Sequence, residues 1–440
     1  MLASPSSARA ETRFVALALL GGLLLRLLWL VMEHGALDGF LTAGEAQYVA
    51  LTLAKTGSFA DAYFEGQGPT AHLLPISVGI AGGILRLFGP FSPAASLTLL
   101  AWSLAQTGLA YLALYRLFQA LGATPPATRW GLVLLCLVPP FVTQEVIDFR
   151  YWESGLAVVL ATMALLLLTR MEQTGTEPGT RAIVAIGALV AVTFFVAPVA
   201  GLAAGICAGS LALIRWPWRR ALLLAAAFAF CLALMVVPWA MRNARELGEP
   251  VLLRSNAGIE LAIANHPDAL SDRPPERVFS DRVAAIHPIG NVAGRAEIRQ
   301  RGGEVRYSRR MGERARAWII AHPADFARLY LRHLRQFFFP EPWQFYFSGW
   351  EGMRTARSVT ISIVALLGLV GLATRLTRDA RRYWMVAVYV AAVALSYAVF
   401  QPMPRYIYLT YGLLAFLATD LLARAAQGIA RRAGLADRAP

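Results

Sequence analysis

Acidic residues are scarce in this sequence: 27 aspartates and glutamates stand against 41 lysines and arginines, and charged residues make up only 15% of 440 positions. Lysine is nearly missing; Lys55 is its one occurrence, so the basic character belongs to arginine. Cysteine is sparse as well. Cys136, Cys207 and Cys231 all fall inside apolar runs, which leaves no disulfide framework and no cysteine metal site. This shortage of charge, beside 57% hydrophobic residues and a mean hydropathy of +0.52, excludes a water-soluble globular protein, because an aqueous fold could not hide so much apolar surface. A formal net charge of +14 would point to nucleic acid in a soluble chain. Here the arginines cluster at the ends of apolar runs, so membrane topology explains them and no nucleic-acid partner is expected.

What the sequence does contain is a series of apolar runs of about 16 to 25 residues, the length that crosses a hydrocarbon core of about 30 Å. They predict an all-α polytopic membrane protein with about ten transmembrane helices, over 14–32, 93–118, 128–142, 153–169, 182–197, 199–214, 221–238, 357–376, 383–400 and 404–424. The first run is too long for a signal-peptide core and no small-residue cleavage site follows it, so it reads as a retained helix. Arg9 and Arg13, the cluster Arg215 to Arg220, the cluster Arg375 to Arg382 and the tail from Arg424 all fall in the cytoplasm if 73–89 does not cross. That run is short and interrupted by Pro75, Gly79, Gly82 and Gly83, which suits an interfacial helix.

The chain thus divides into a transmembrane module over 1–238 with outer loops 33–92 and 143–152, an extracytoplasmic segment over 239–356, and C-terminal helices with a cytoplasmic tail over 357–440. After Pro323, Phe326, Leu329, Tyr330, Leu334, Phe337 and Phe338 recur at helical spacing. They predict an amphipathic helix, lying on the membrane surface or packed on its own domain. Arg26 stands inside the first run, where a charge is costly and needs a partner that the sequence does not identify.

Residues able to do chemistry gather outside the apolar runs. The first outer loop reads Leu-Thr-Ala-Gly-Glu-Ala-Gln-Tyr from Leu41 to Tyr48, then Gly-Pro-Thr-Ala-His from Gly68 to His72, and its helix ends at Phe88-Gly89. The second holds Glu145, Asp148, Arg150 and Glu153. Pro238-Trp239-Ala240-Met241-Arg242-Asn243 leads into the long segment, where Asn256-Ala257-Gly258, Ala264-Asn265-His266-Pro267 and Ala321-His322-Pro323 follow; Pro404-Arg405-Tyr406 opens the last run.

In order and spacing, from about residue 14 to 424, this series resembles the bacterial GT-C glycosyltransferases of the family 39 and aminoarabinose-transferase type. Those enzymes carry an acidic-plus-tyrosine motif, commonly Asp-Glu-x-x-Tyr, in the first outer loop. They often have Pro-Thr-Ala before an interfacial helix ending in Phe-Gly, Pro-Trp-x-x-Arg-Asn before the outer domain, and an Arg-Tyr pair opening a late helix. The resemblance implies a GT-C fold in a bacterial inner membrane, with the active site facing the periplasm or cell exterior. It implies transfer of a hexosyl or pentosyl group from a polyprenyl-phosphate-linked donor to a lipid, glycan or protein acceptor.

The chemistry agrees. Nucleotide sugars are cytoplasmic, so an outward-facing transferase needs a donor anchored in the membrane. Displacement at the anomeric carbon needs a carboxylate to take the acceptor's proton and cations on the departing phosphate. On this reading Glu45 and Asp148 are catalytic. Tyr48, His72, Arg150, Glu153, Arg242, Asn243, His266, Arg405 and Tyr406 bind substrate, with Arg150, Arg242 and Arg405 as candidates for the carrier phosphate. His72 and His266 are too scattered to argue for a metal, and no cofactor is expected.

The sequence departs from the family at one position. Gly44 stands where the motif has its aspartate, so Glu45 serves, or another acid such as Asp38 does, or activity is lost. Glu45 also has a structural reading, as the N3 residue of a capping box opened by Thr42 on a helix 43–55. Two alternatives to the transferase remain open: a transporter or flippase of lipid-linked material, and a catalytically inactive GT-C-like accessory protein. A transporter would show repeated halves and interrupted helices, whereas this chain concentrates its acids in outer loops.

Overall fold

The computed structural model describes residues 5–37, 43–300, 302–348 and 353–432; Asp38 and Thr42 lie outside them. Among the described residues the chain is helical, with one isolated bridge, between Ala60 and Pro69. Seven helices are long and apolar enough to cross a membrane: Arg9–His34, Pro93–Ala120, Ser154–Thr174, Pro198–Arg215, Trp218–Leu247, Arg354–Tyr397 and Pro404–Arg432. An eighth candidate joins Pro125–Leu137 to Val142–Arg150 across a 75° bend.

The expected number of about ten follows from two further features. Thr180–Val196 is apolar but 17 residues long, about 26 Å at 1.5 Å per residue. Arg354–Tyr397 has 44 residues, twice what one crossing needs, and breaks at Asp379, whose φ of −150° and ψ of 55° leave the helical range. The break falls inside the basic stretch Arg375–Arg382, so this element supplies the expected spans 357–376 and 383–400. Pro75–Phe88 is 14 residues, short of a crossing, and lies against Glu45–Thr56, where a side chain on Gly82 would strike Leu53.

Prolines and short polar residues set the helix starts. Ser92 Oγ accepts from the Ala95 amide with Pro93 at the first helical position, and Thr124 caps Pro125–Leu137 the same way. The last helix, Pro404–Arg432, runs through the bundle, and small residues let its neighbours approach closely. Gly368 and Gly371 lie against Leu414 and Leu417, Gly131 against Phe416, and Phe416 stacks on Phe118 with ring centroids 4.9 Å apart.

Arg26 is fully buried in the first helix, and the partner that the sequence left unnamed is Glu145. Its Nε donates to Glu145 Oε2 at 2.8 Å; its other nitrogens donate to the Tyr111 hydroxyl and to the carbonyls of Gly22, Cys136 and Leu135. Tyr111 and Tyr408 both donate to Glu145 Oε1. A second buried arginine, Arg357, donates to the Pro140 carbonyl at 2.6 Å and to Gln144 Oε1 at 2.8 Å. Two distant spans therefore hold the loop 138–153, which stays buried beyond the 75° bend.

Helix Trp218–Leu247 continues past the expected boundary at 238, through Pro238, and carries the chain into a layer of short helices that caps one end of the bundle. Buried Glu304 ties this layer to the first loop, accepting from Gln67 Nε2 and Thr70 Oγ1 at 2.6 Å each, the Ala71 amide at 3.0 Å, and Ser255 Oγ. Helices Ala257–Ala264 and Gly303–Ala321 cross at Gly258 and Gly312, where a Cβ on Gly258 would overlap the Ser308 carbonyl. The amphipathic helix Pro323–Phe338 turns Leu329, His333, Gln336 and Phe337 inward. It rests on the end of Arg354–Tyr397, with the Tyr330 hydroxyl donating to the Leu395 carbonyl at 2.9 Å.

Candidate functional site

The cap layer, the first loop and the loop 138–153 meet at the starts of three helices, Glu45–Thr56, Ser154–Thr174 and Pro404–Arg432. Helix starts present amide groups and the positive end of the helix dipole, an environment that favours anions. Glu45 is the first residue of its helix, Glu153 immediately precedes Ser154, and Arg405 lies in the first turn of the last helix.

Arg405 is held by aromatic rings. Its guanidinium lies 4.1 Å from the Trp152 ring centroid and 5.1 Å from that of Tyr406, and Nη2 donates to the Tyr406 hydroxyl at 3.3 Å. Tyr406 stacks in turn on Tyr397 at 4.1 Å. Trp152 is fixed by its indole N–H, which donates to the Ala43 carbonyl at 2.7 Å and so ties the Asp148 loop to the start of the Glu45 helix. Among the described residues no carboxylate comes within 4 Å of the Arg405 guanidinium, and its buried Nε has no partner.

Carboxylates surround this arginine at longer range. Glu45 and Glu153 lie within its electrostatic reach, as does Asp148. Burial pushes the Asp148 carboxyl up to about 6; Arg405, Arg357 and the nearby Gln144 amide oppose that rise, and Glu45 adds to it. Arg357 grips Gln144, four residues before Asp148, and so braces the Asp148 loop from inside the bundle. Glu45 Oε1 faces His287 Nε2 at 3.5 Å.

His72 closes the group. Its Nδ1 lies 3.0 Å from the Tyr63 hydroxyl and its carbonyl accepts from Arg254 Nε at 3.1 Å, while Arg254 Nη1 pairs with Glu153 at 3.2 Å. Burial holds His72 well below its ordinary value, with Arg254, His287 and Arg405 pushing the same way, so the ring is neutral. If Tyr63 donates to Nδ1, the ring's proton sits on Nε2.

The structure thus brings Glu45, His72, Asp148, Glu153, Arg405 and Tyr406 to one place. Other expected residues fall elsewhere. Arg242 gives two of its three nitrogens to the Thr70 and Phe59 carbonyls and to Asn243, and is flanked by the Phe59 and Trp239 rings; it braces the first loop. Asn243 donates to the Val251 carbonyl at 2.8 Å. Arg150 is buried on its own loop, Nε donating to the Val146 carbonyl. His266 lines a small cavity of about 40 Å³ with Arg332 and His333. Tyr48 lines a separate groove beside Lys55 and Asp61. Among the described residues no three metal-ligating side chains gather.

The capping-box reading of Glu45 is corrected. The helix starts two residues later than that box requires, with Gly44 as its cap, so Glu45 is N1 rather than N3 and makes no capping hydrogen bond. Gln47 is the N3 residue, and its Oε1 accepts from the Ala43 amide at 2.7 Å. Gly44 itself has φ 64° and ψ −140°, with nothing within 4 Å of where a Cβ would stand. Backbone conformation, not space, therefore opposes an aspartate at this position.

Sequence reasoning missed Tyr63, Arg254, His287 and the clamp Glu304. A third His-Pro pair, His287-Pro288, was the available signal for one of them, and Arg254 lies two residues before the noted Asn256.

Comparison with known proteins bears on the fold. The chain is similar to the archaeal oligosaccharyltransferase AglB from Archaeoglobus fulgidus, solved with an inhibitory peptide and a dolichol-phosphate, at 13% identity and a TM-score of 0.55, covering 99% of this chain and 52% of that one. An oligosaccharyltransferase from the same organism, tethered to an acceptor peptide containing the NVT sequon, gives 14% identity and a TM-score of 0.56, covering 96% and 50%. ArnT from Cupriavidus metallidurans bound to undecaprenyl phosphate is 17% identical over 100% of this chain and 82% of its own, with a TM-score of 0.35. The chain spans about half the length of the oligosaccharyltransferases it matches. No family model matches it, and no curated protein does. At these identities the likeness establishes the fold: an all-α, multi-pass membrane protein of the GT-C type.

Proposed function

We propose that this protein is a membrane glycosyltransferase that moves a hexosyl or pentosyl group from a polyprenyl-phosphate-linked donor to an acceptor on the extracytoplasmic face of a bacterial inner membrane. The family 39 and aminoarabinose-transferase type is the subtype the sequence resembles. One observation carries the reading: a half-buried arginine, stacked on Trp152 and without a carboxylate in contact among the described residues, stands amid Glu45, Asp148 and Glu153 at the end of a GT-C fold.

In this scheme Arg405, oriented by Trp152 and Tyr406, binds the carrier phosphate. An acceptor hydroxyl attacks the anomeric carbon as the bond from that carbon to the phosphate oxygen breaks. The bonding electron pair leaves with the polyprenyl phosphate, whose growing charge Arg405 stabilises. The hydroxyl proton passes to Glu45, and Asp148 is the second acid of the site. Arg242, which gives its donors to the Thr70 and Phe59 carbonyls, has no part in phosphate binding in this scheme.

Proteoliposomes supplied with radiolabelled polyprenyl-phosphate hexoses and pentoses test the proposal. Label should move to an acceptor fraction with wild type and stay on the carrier with Glu45→Gln. Failure of wild type to transfer from any donor, with carrier binding intact, would favour the inactive accessory reading, for which Gly44 is the existing argument.

A further inference from the structure

Tyr48 and Lys55 belong to none of the contacts described above, yet they border a groove of about 400 Å³ on the first loop. One face of helix Glu45–Thr56 forms its floor, with Tyr48, Leu51, Thr52, Lys55 and Thr56 at helical spacing. Asp61, Tyr63, Phe64 and Glu65 form the opposite wall. The volume lies in the range of small-molecule sites, about 300–1,000 Å³.

Two features set this groove apart from ordinary loop surface. Lys55, Asp61 and Glu65 form no ion pair among the described residues; Lys55 rests 5.3 Å from the Phe91 ring centroid, and Asp61 uses only Oδ1, on the Gly68 amide. Asp61 also holds φ 61°, a left-handed conformation that non-glycine residues adopt infrequently and that often accompanies binding loops. Tyr48 keeps 40% of its surface exposed at the floor.

We propose that this groove binds the acceptor, and that the acceptor is a neutral, hydroxyl-rich glycan. Two lining carboxylates against one ammonium, with the Arg295 and Arg299 guanidiniums stacked on Phe64 beside them, leave the groove near neutral and favour a neutral ligand, and three lining charges without ion pairs oppose a lipid tail. A sugar ring offers an apolar C–H face to Tyr48, hydroxyl protons to Asp61 and Glu65, and oxygen acceptors to Lys55. The groove also adjoins the proposed chemistry. Tyr48 is one helical turn beyond Glu45, and Tyr63, on the groove wall, contacts His72 and meets the His287 ring edge-on at 5.3 Å. This assignment of acceptor class rests on the transferase reading, while binding by the groove can be measured without it.

The test uses the full chain in nanodiscs, with maltotetraose, mannotetraose and chitotetraose as glycan probes and farnesyl phosphate as a carrier probe. Saturation-transfer NMR and calorimetry read binding. At least one tetrasaccharide should bind, and Tyr48→Ala and Glu65→Gln should each weaken it ten-fold or more with farnesyl phosphate affinity unchanged. Both side chains are exposed, and near-ultraviolet circular dichroism checks folding; Asp61→Asn provides a third variant. Binding of no tetrasaccharide overturns the proposal, as does glycan binding that none of the three variants alters. Displacement of a bound tetrasaccharide by a neutral tetrapeptide at equal affinity overturns the glycan assignment. If glycan binding depends on Tyr48 while farnesyl phosphate does not bind, the groove stands and the donor reading falls; the reverse pattern sinks the groove alone.

Discussion

Arg405 and Asp420 lie on the same helix, 15 residues and so about 22 Å apart by helical rise, and they show two uses of charge. Asp420 is fully buried and neutralised: Arg375 donates to both of its oxygens at 2.7 and 2.6 Å, and Arg424 approaches to 2.8 Å. At the other end, Arg405 has ring faces and a tyrosine hydroxyl for company, while nearby acids keep their distance. Burying an ionised group without a paired opposite charge is costly. The first cluster avoids that cost and is architecture. The second is only half-buried and keeps its charge without a carboxylate in contact, so it can be completed by a ligand.

The largest expected effect is on chemistry at the available end. Glu45→Gln should lower the transfer rate by about 10²–10⁴-fold, with thermal stability and carrier binding unchanged, because Glu45 makes no capping hydrogen bond. A wild-type transfer rate in this variant would place Glu45 among the structural acids. The spent charges should behave in the opposite way. Arg26→Ala leaves Glu145 buried without its cation, and loss of one partner of such a pair typically costs about 3–5 kcal/mol. Denaturation of the reconstituted variant should show that loss, and Arg26→Met combined with Glu145→Leu should recover much of it. An unchanged midpoint in Arg26→Ala would mean that the network is dispensable.

A paired measurement tests the two ends directly. Arg405→Gln should weaken carrier-phosphate binding about ten-fold or more, in line with the roughly 1.5–3 kcal/mol of a charged hydrogen bond, and leave the unfolding midpoint in place. Asp420→Asn should lower the midpoint and leave phosphate affinity unchanged. If both variants lose stability alone, Arg405 is a structural cation and the contrast between the two ends collapses.

The fold was legible because apolar length and helix rise are local properties: the ten expected spans are largely helical, with 128–142 broken at its end by the 75° bend, and the helix after Pro323 buries Leu329 and Phe337 of the six residues its periodicity singled out and half-buries the other four. Charged partnerships were not local. Glu145 lies 119 residues from Arg26, and Glu304 more than 230 from the loop it clamps, separations over which sequence spacing carries no geometric information. Arg242 and Arg405 looked equivalent in the sequence, each within three residues of an aromatic at the end of an apolar run. They differ because nearby Phe59 and Thr70 carbonyls consume the donors of Arg242, whereas Trp152 offers Arg405 only a ring face.

The smallest expected effect concerns pH at Asp148. Burial raises its carboxyl from 3.8 in water to about 6, so the folded protein binds this proton more tightly than the unfolded chain does. By linkage, its contribution to stability is fully present below the unfolded value and is lost as pH rises through about 6. Transfer should run the other way: if the ionised carboxylate is the form that serves the site, the rate rises across the same interval. Two opposed slopes between pH 4 and 7 are the signature of a group that costs the fold something in order to be charged where it is used. Asp148→Asn should flatten both, with the midpoint less dependent on pH and the rate low throughout. A rate limb near pH 6 that persists in Asp148→Asn would assign the titration to another group and place Asp148 with Asp420, among the acids spent on structure.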